Sequence, residues 1–201
     1  MRTSFVAVLI CGLLALCGNA LAQPVLSGFS LDTCREYSNL QQALLNKETV
    51  VKLNLSKQKL REVPPEIASF PRLQVLNLSK NKLNELPTFI GDLKNLTELN
   101  ISRNRIDTLP PELCHLTHLR VLRIGQNEIS YLPDSLGNCS ELELLDLWSN
   151  NIGELPESTN QLKKLREIDL RAISMSESEQ QAIKALAPAA KIHFSPTCNC
   201  D

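Results

Sequence analysis

The chain of 201 residues lacks a strong net charge, because 21 lysine and arginine residues almost balance 22 aspartate and glutamate residues. A formal charge of −1 gives no global field that would attract nucleic acid or an anionic membrane surface. Neither is therefore a predicted partner.

Histidines are also few, and the sequence gives them no partners for chemistry. Of the three in the chain, His115 and His118 occupy positions predicted to be exposed, and His193 lies near the C-terminus. No acidic or thiol partner recurs beside them, whereas a catalytic or metal site needs several convergent groups. The sequence predicts a protein that is not an enzyme and that holds no metal or cofactor.

Long apolar runs are absent except at the N-terminus. There a single early cation, Arg2, precedes an uncharged stretch over 5–17, and small residues follow at 20–22. This order is typical of a secretory signal peptide, predicted over 1–22, which leaves a secreted or periplasmic chain beginning at Gln23. Because a membrane span needs about 20 apolar residues, no span is predicted.

One alternative is a lipoprotein anchored at Cys17, although Leu16 is bulkier than that signal prefers. Removal of the signal peptide leaves an odd number of cysteines, so at least one thiol is free or paired between chains in an oxidising compartment. The remaining cysteines are Cys34, Cys114, Cys139, Cys198 and Cys200.

An internal repeat with a period of 23 residues fills most of the chain. Its first position is taken by Leu73, Leu96, Leu119, Leu142 and Leu165, with Val50 one period upstream. Each copy follows the pattern L-x-x-L-x-L-x-x-N-x-L-x-x-L-P-x-x-I-x-x-L. The asparagine of the pattern is Asn81, Asn104, Asn127 or Asn150. Such units cannot bury an apolar face alone, so they stack into a solenoid.

The positions within a copy have physical reasons. In "VLNLS", alternation predicts a short strand with Leu76 and Leu78 inward and Asn77 and Ser79 outward. The asparagine amide can bond to backbone groups of the following turn, so stacked copies would form a ladder. Pro87 presets the backbone for a returning segment with room for one short helical turn.

The repeat pattern from Val50 to about Phe194 resembles the leucine-rich repeat family, in its 23-residue LPxxI variety found in bacterial proteins and in animal and plant intracellular scaffolds. The repeat type and the style of the caps favour a bacterial protein. The resemblance implies an α/β fold: a right-handed solenoid with a concave parallel sheet, short helical turns on the convex side and helical caps. The predicted division is an N-terminal segment and capping helix over 23–49, repeats over 50–172 and a C-terminal cap with a cysteine-containing tail over 173–201. The resemblance is specific for fold and weak for function, since such solenoids bind many things.

Capping helices are predicted at both ends. Thr33 and Glu36 have capping-box spacing at the head of "CREYSNLQQALLNKE". The apolar face of this helix would comprise Tyr37, Leu40 and Leu44. Ser176 and Glu179 repeat the spacing before a helix that runs to about Ala187, and "KIHF" follows as a last strand.

The cysteines divide by position in the solenoid. Cys139 replaces a core leucine and is predicted to be a buried, inert thiol. Cys34 lies at the opposite end from Cys198 and Cys200, and strand steps of about 4.8 Å separate the ends by more than about 20 Å. A disulfide between the caps is excluded, because its Cα atoms must lie within roughly 7 Å. A local link, an intermolecular bridge and a loose tail stay open.

The strand periodicity predicts three rows of outward-facing side chains. The first row is Lys52, Val75, Glu98, Val121, Leu144, Glu167; the middle row is Asn54, Asn77, Asn100, Arg123, Asp146, Asp169; the third row is Ser56, Ser79, Ser102, Gly125, Trp148, Arg171. The first half of this face is a uniform Asn/Ser surface. The second half carries charges of both signs, apolar residues and the only tryptophan.

This second half is the predicted binding site for a protein or peptide. Trp148 would be the anchor, with Val121 and Leu144 as apolar neighbours. The orienting charges would be Arg123, Asp146, Asp169 and Arg171. Tryptophan and arginine are enriched among interface hot spots, where truncation costs about 2 kcal/mol or more. The alternative is that the indole packs against its neighbours and binds nothing.

A second feature is a basic stripe beside the asparagine position in three consecutive copies. It consists of Lys57, Lys59, Lys80, Lys82, Arg103 and Arg105. Such a stripe could attract an acidic glycan or cell-wall polymer, in which case affinity should fall steeply with salt. The alternatives are a solvated edge that keeps the sheet soluble, and partial neutralisation by Glu62 and Glu85.

Overall fold

Each repeat contributes one short strand to a parallel sheet in the computed structural model, which describes residues 31–195. Within these residues the sheet has eight strands that pair in chain order. The strands are β1 (Glu36–Tyr37), β2 (Lys52–Asn54), β3 (Val75–Asn77), β4 (Glu98–Asn100), β5 (Val121–Arg123), β6 (Leu144–Asp146), β7 (Glu167–Leu170) and β8 (Lys191–Phe194). Consecutive repeats therefore stack side by side, which confirms the predicted solenoid.

The returning segments form 3₁₀ turns on the other side of the core. They span Pro65–Ser69, Thr88–Asp92, Pro111–His115, Leu136–Asn138 and Glu157–Gln161, and a further 3₁₀ turn spans Lys47–Thr49. Pro87, Pro110 and Pro156 directly precede three of these turns with an extended backbone. The predicted role of the proline is thus confirmed.

The hydrophobic core runs through the whole stack between the strands and the turns. Leu76 and Leu78 are fully buried, and Asn77 between them is half-buried on the outward side, as alternation predicts. Ser79 is more buried than predicted, at 8% exposed.

The asparagines form the predicted ladder below the sheet. Asn81 Oδ1 accepts hydrogen bonds from the N–H groups of Gln58 and Leu60 at 2.9 and 3.1 Å. Its Nδ2 donates to the carbonyls of Leu55 and Leu78 at 2.9 and 2.8 Å. Comparable bonds to the preceding repeat and within the asparagine's own repeat recur at Asn104, Asn127 and Asn150. Each amide thus satisfies buried backbone groups of two repeats at once.

The N-terminal cap differs from the prediction. Strand β1 occupies the place where Thr33 and Glu36 predict the head of a helix. The open edge of β2 presents unpaired backbone groups that an added strand satisfies, and pairing also buries Tyr37. The helix α1 (Leu40–Leu44) begins later, where the Asn39 side chain caps it. Both leucines of the predicted apolar face pack against the core.

The C-terminal cap follows the prediction. Helix α2 (Glu177–Leu186) begins at a capping box in which Ser176 Oγ accepts from the N–H of Glu179 and the Glu179 carboxylate accepts from the N–H of Ser176. Ile183 is the buried residue of this helix. In place of a ladder asparagine the last turn has the buried Ile173, so the ladder ends before the cap.

Cys114 and Cys139 are buried free thiols. Cys139 is fully buried as predicted, and Cys114 is buried beside it. A hydrogen bond between them lowers the pKa of Cys114 to about 7 and raises the pKa of Cys139. Cys34 is held in a disulfide. Cys198 and Cys200 lie outside the described residues, as do the predicted signal peptide and lipoprotein cysteine.

Candidate binding site on the concave face

Strand pairing places the predicted rows side by side on the outward surface of the sheet, the concave face. In the second half, the paired positions read Val121, Leu144, Glu167 in the first row and Arg123, Asp146, Asp169 in the middle row. His193 pairs with Asp169 and extends the middle row by one residue. The repeat spacing does not predict this position, because His193 lies 24 residues after Asp169 instead of 23, although the alternation in "KIHF" indicates an outward side chain here.

Most side chains of the middle row hydrogen-bond to the backbone of their own repeat. Asn77 Oδ1 accepts a hydrogen bond from the backbone N–H of Ser79, two residues further along, at 3.0 Å. The same bond is made by Asn54, Asn100, Asp146 and Asp169. Arg123 is the exception, since a guanidinium has no acceptor. The bond needs a side-chain oxygen at this position and does not distinguish asparagine from aspartate.

The indole of Trp148 lies against Gly125 in the neighbouring repeat. A Cβ atom built on Gly125 would lie 2.6 Å from the indole Nε1 and closer still to Cδ1. Its backbone does not have a positive φ, so the glycine is explained by this close approach and not by conformation. A serine, as in the first three repeats, would collide with the ring. Packing against Gly125 therefore covers part of the indole surface, and the side chain of Trp148 remains half-buried.

Most acidic groups of this surface contact a basic side chain. The pairs are Asp169 Oδ2 with Arg171 Nη2 at 2.6 Å, Glu98 Oε2 with Arg123 Nη1 at 3.8 Å, and Glu167 Oε1 with His193 Nε2 at 3.0 Å. The first is bidentate, because Arg171 Nε also donates to Asp169 Oδ1 at 3.0 Å. Asp146 has no ion-pair partner within residues 31–195.

The two aspartates of neighbouring repeats consequently differ in acidity. Burial raises the pKa of Asp146, and the charge of Asp169 adds to this effect. The hydrogen bond from Trp148 and the charges of Arg123 and Arg171 act against it without cancelling it. Burial acts on Asp169 in the same direction, but the hydrogen bonds and charge of Arg171 outweigh it and lower the pKa of Asp169. Of these two aspartates, Asp146 is the one whose ionised form the folded chain disfavours.

A small pocket of about 120 Å³ opens among these groups. It is lined by Arg123, Leu144, Leu145, Asp146, Glu167 and Asp169. The structure thus brings four of the predicted site residues around one cavity, with Val121 paired to Leu144 in the adjacent strand. Trp148 lies two residues after the end of β6, and Arg171 is exposed beside Asp169. The arrangement can hold one charged or polar group against an apolar side.

Metal binding is not indicated by the geometry of the described residues, among which no group of three or more His, Cys, Asp or Glu side chains could hold a metal ion. His115 and His118 are exposed, as predicted. Across the same part of the chain, no helix is both long and apolar enough to cross a membrane.

The six cations of the basic stripe are all exposed. Lys57, Lys80 and Arg103 occupy a left-handed backbone position, with φ of 58–62°, that recurs in every repeat. Among residues 31–195 none of the six lies within ion-pair distance of an acid, so Glu62 and Glu85 do not neutralise the stripe by direct pairing.

Comparison with known proteins identifies the repeat. The family model described as leucine-rich repeat matches residues 48–106 and 94–152, which together cover about half of the chain. The chain belongs to the leucine-rich repeat family. Proteins with leucine-rich repeats are generally interaction modules without enzymatic activity. No curated protein sequence matches the chain.

Solved structures of bacterial leucine-rich repeat proteins share the architecture. A leucine-rich repeat protein of Leptospira interrogans is 30% identical over 81% of this chain, with a TM-score of 0.67. Internalin C2 of Listeria monocytogenes is 24% identical over 79%, and another internalin of that species is 18% identical over 84%, each with a TM-score of 0.63. The chain spans 47%, 66% and 58% of the lengths of these proteins, respectively. At these identities the two internalins show the fold alone.

The leucine-rich repeat framework explains part of the concave face. It requires the buried leucines, the ladder and the oxygen acceptors of the middle row. It does not require Arg123 in place of an acceptor, or the pairing of Trp148 with Gly125. These departures lie together in the second half of the sheet.

Proposed function

We propose that the chain is a secreted leucine-rich repeat module that binds a protein or peptide on the second half of its concave face. The observation that carries the proposal is the indole of Trp148, which is accommodated by a glycine in the adjacent repeat and remains half-buried. Secretion is supported by the apolar N-terminal pattern and its small-residue cleavage site.

The composition of the surface supports binding. Within a few residues it combines an aromatic ring, the apolar side chains of Val121 and Leu144, and paired charges. Interface hot spots favour this combination of tryptophan and arginine with a dry apolar neighbourhood. At Arg123 the repeat has also given up a backbone hydrogen bond that the framework makes elsewhere. The framework alone does not account for that change.

Affinity capture from the native extracellular or periplasmic fraction tests the proposal, with the wild-type chain and Trp148→Ala as immobilised baits. The matched control is Tyr131→Ala, because Tyr131 is a 72% exposed aromatic residue outside the three rows of the concave face. We expect a partner retained by the wild type and the control to bind Trp148→Ala about 30-fold more weakly, as for a hot spot of about 2 kcal/mol. Equal retention by all three folded baits would contradict the site.

The basic stripe supports a second candidate function, the binding of an acidic glycan or cell-wall polymer. Its six exposed cations have no ion-pair partner among the described residues, so their field is available to a polyanion. This function predicts that affinity for dextran sulfate falls steeply with salt and is insensitive to Trp148→Ala. Neutral dextran is the control polymer, and equal binding of both polymers would argue against it.

A further inference from the structure

We propose that the partner presents a basic side chain, lysine or arginine, to the carboxylate of Asp146 beside the indole of Trp148. The proposal rests on the proposed function of the concave face and names the chemistry of the ligand. The juxtaposition behind it is the meeting of both groups over Gly125. A Cβ atom there would lie 2.9 Å from Asp146 Oδ1 and 2.6 Å from the indole Nε1.

The framework does not require the negative charge of Asp146. Its Oδ1 accepts the N–H of Trp148 at 3.2 Å, and asparagine makes the same bond in the first three repeats. An amide at this position would serve the backbone equally well. The charge is therefore free for another use.

The surrounding charges leave Asp146 available to a cation. Glu98, Glu167 and Asp169 are occupied by Arg123, His193 and Arg171, respectively. The outward rows of β5, β6 and β7 hold three carboxylates (at 146, 167 and 169), and two guanidinium groups (at 123 and 171) lie on this half, which gives a formal excess of one negative charge. Among the described residues, Asp146 is the one of these three carboxylates without an ion-pair partner. An acidic ligand would have to break an existing ion pair, whereas a basic one would complete the set.

The charge is also kept at a cost. Burial and the neighbouring Asp169 raise the pKa of Asp146, which means that the folded chain disfavours its ionised form. Groups that cost stability without serving the framework are frequent at functional sites. A bound ammonium or guanidinium would remove this penalty.

The neighbours suit the rest of a basic side chain. Lysine and arginine bury their aliphatic stems on apolar surface while the charged end finds a polar partner. Leu144 and Val121 supply that surface beside the pocket. An indole attracts cations more strongly than other aromatic rings do, so Trp148 favours the same ligand class.

The test uses the tryptophan as its own reporter, since the chain has only one. Four capped pentapeptides of sequence Ser-Leu-Xaa-Leu-Ser, with lysine, arginine, glutamine or glutamate at the central position, are titrated while indole emission is recorded. The variant Asp146→Asn removes the charge and keeps the acceptor. Asp92→Asn, an exposed carboxylate on a 3₁₀ turn, is the matched control.

We expect saturable emission changes with the lysine and arginine peptides and at least about tenfold weaker binding of both by Asp146→Asn, but not by Asp92→Asn. Glutamine and glutamate peptides should bind at least tenfold more weakly than lysine to the wild type. Tighter binding of the glutamate peptide, equal binding by Asp146→Asn, or no emission change with any peptide would overturn the basic-ligand proposal. The proposed function would survive each of these results if a captured partner still requires Trp148, and it fails separately if capture does not.

Discussion

The two halves of the concave face have the same backbone arrangement but carry different side chains. In the first half, asparagine and serine repeat with the period of the fold, and each asparagine serves its own turn. In the second half, the same positions hold two guanidinium groups, two carboxylates, a glycine and an indole. The difference separates what a repeat needs in order to stack from what has been added to the stack. Substitutions that exchange residues between the halves can test this separation.

The largest loss of stability should come from breaking the asparagine ladder, which both halves share. Asn127→Ala would remove bonds to the N–H of Ile106 and the carbonyls of Ile101 and Ile124, and would leave these buried groups unsatisfied. We expect a loss of about 3 kcal/mol in the free energy of unfolding, measured by urea denaturation. Asn151→Ala, an exposed asparagine close to the ladder, is the control and should change stability by less than about 0.5 kcal/mol. Similar losses in both variants would contradict the role of the ladder.

Gly125→Ser should cause the second largest loss of stability. It places a serine, the residue of the first three repeats, against the indole of Trp148. The added atoms collide with the indole of Trp148, so we expect a loss of about 1–3 kcal/mol and a red shift of tryptophan emission. In a Trp148→Ser background the same serine has room and should cost little. A double-mutant cycle measured by urea unfolding gives the coupling, and additive effects would show that the two residues do not contact.

The paired aspartates should respond to neutralisation with opposite signs. The raised pKa of Asp146 means that the penalty for its ionised form is absent below the ordinary aspartate pKa of 3.8, and that this penalty develops as pH rises through the folded pKa. Asp146→Asn should therefore raise the melting temperature at pH 7 and have no effect well below pH 3.8.

The pKa of Asp169 is lowered, so its contribution is present above 3.8 and is lost as pH falls through the folded value. Asp169→Asn should lower the melting temperature at pH 7. Solvent screening limits both effects to at most about 1 kcal/mol. Thermal melts of both variants from pH 3 to pH 7 measure the contrast, and shifts of equal sign would refute it.

The smallest effect should come from the basic stripe beside the first half. Replacing Lys80 and Lys82 together by glutamine removes like charges that have no partner among residues 31–195. We expect a slight stabilisation at low salt, below about 0.5 kcal/mol, that disappears as salt screens the repulsion. Thermal melts at two salt concentrations check this, and a salt-independent loss would indicate a structural role for the lysines.

Periodic features could be predicted from the sequence because the same residue types recur where the same environment recurs. The strands, the ladder and the three rows all followed from the spacing of 23 residues. The predicted start of the N-terminal capping helix was wrong because β1 lies outside the repeats, so their spacing does not predict it. Its pairing with β2 depends on an open sheet edge, and the capping-box residues at Thr33 and Glu36 contain no information about that edge.

The candidate site could be predicted as a list of residues but not as an arrangement. Gly125 and Trp148 were placed in one row, yet their contact depends on the direction of the indole, which spacing does not determine. The isolation of Asp146 depends on which acids are already paired, and this follows from side-chain geometry across neighbouring strands. Whether the surface binds a ligand stays a prediction.

The interchangeable oxygen of the middle row has a consequence for how such a surface can change over generations. A single base change converts an asparagine codon into an aspartate codon, and at these positions the exchange leaves the backbone hydrogen bond in place. The charge of the concave face can therefore change by one substitution in one repeat at a time, and each variant along the way still folds. Asn54, Asn77 and Asn100 are positions where a new specificity could arise at little risk to the solenoid.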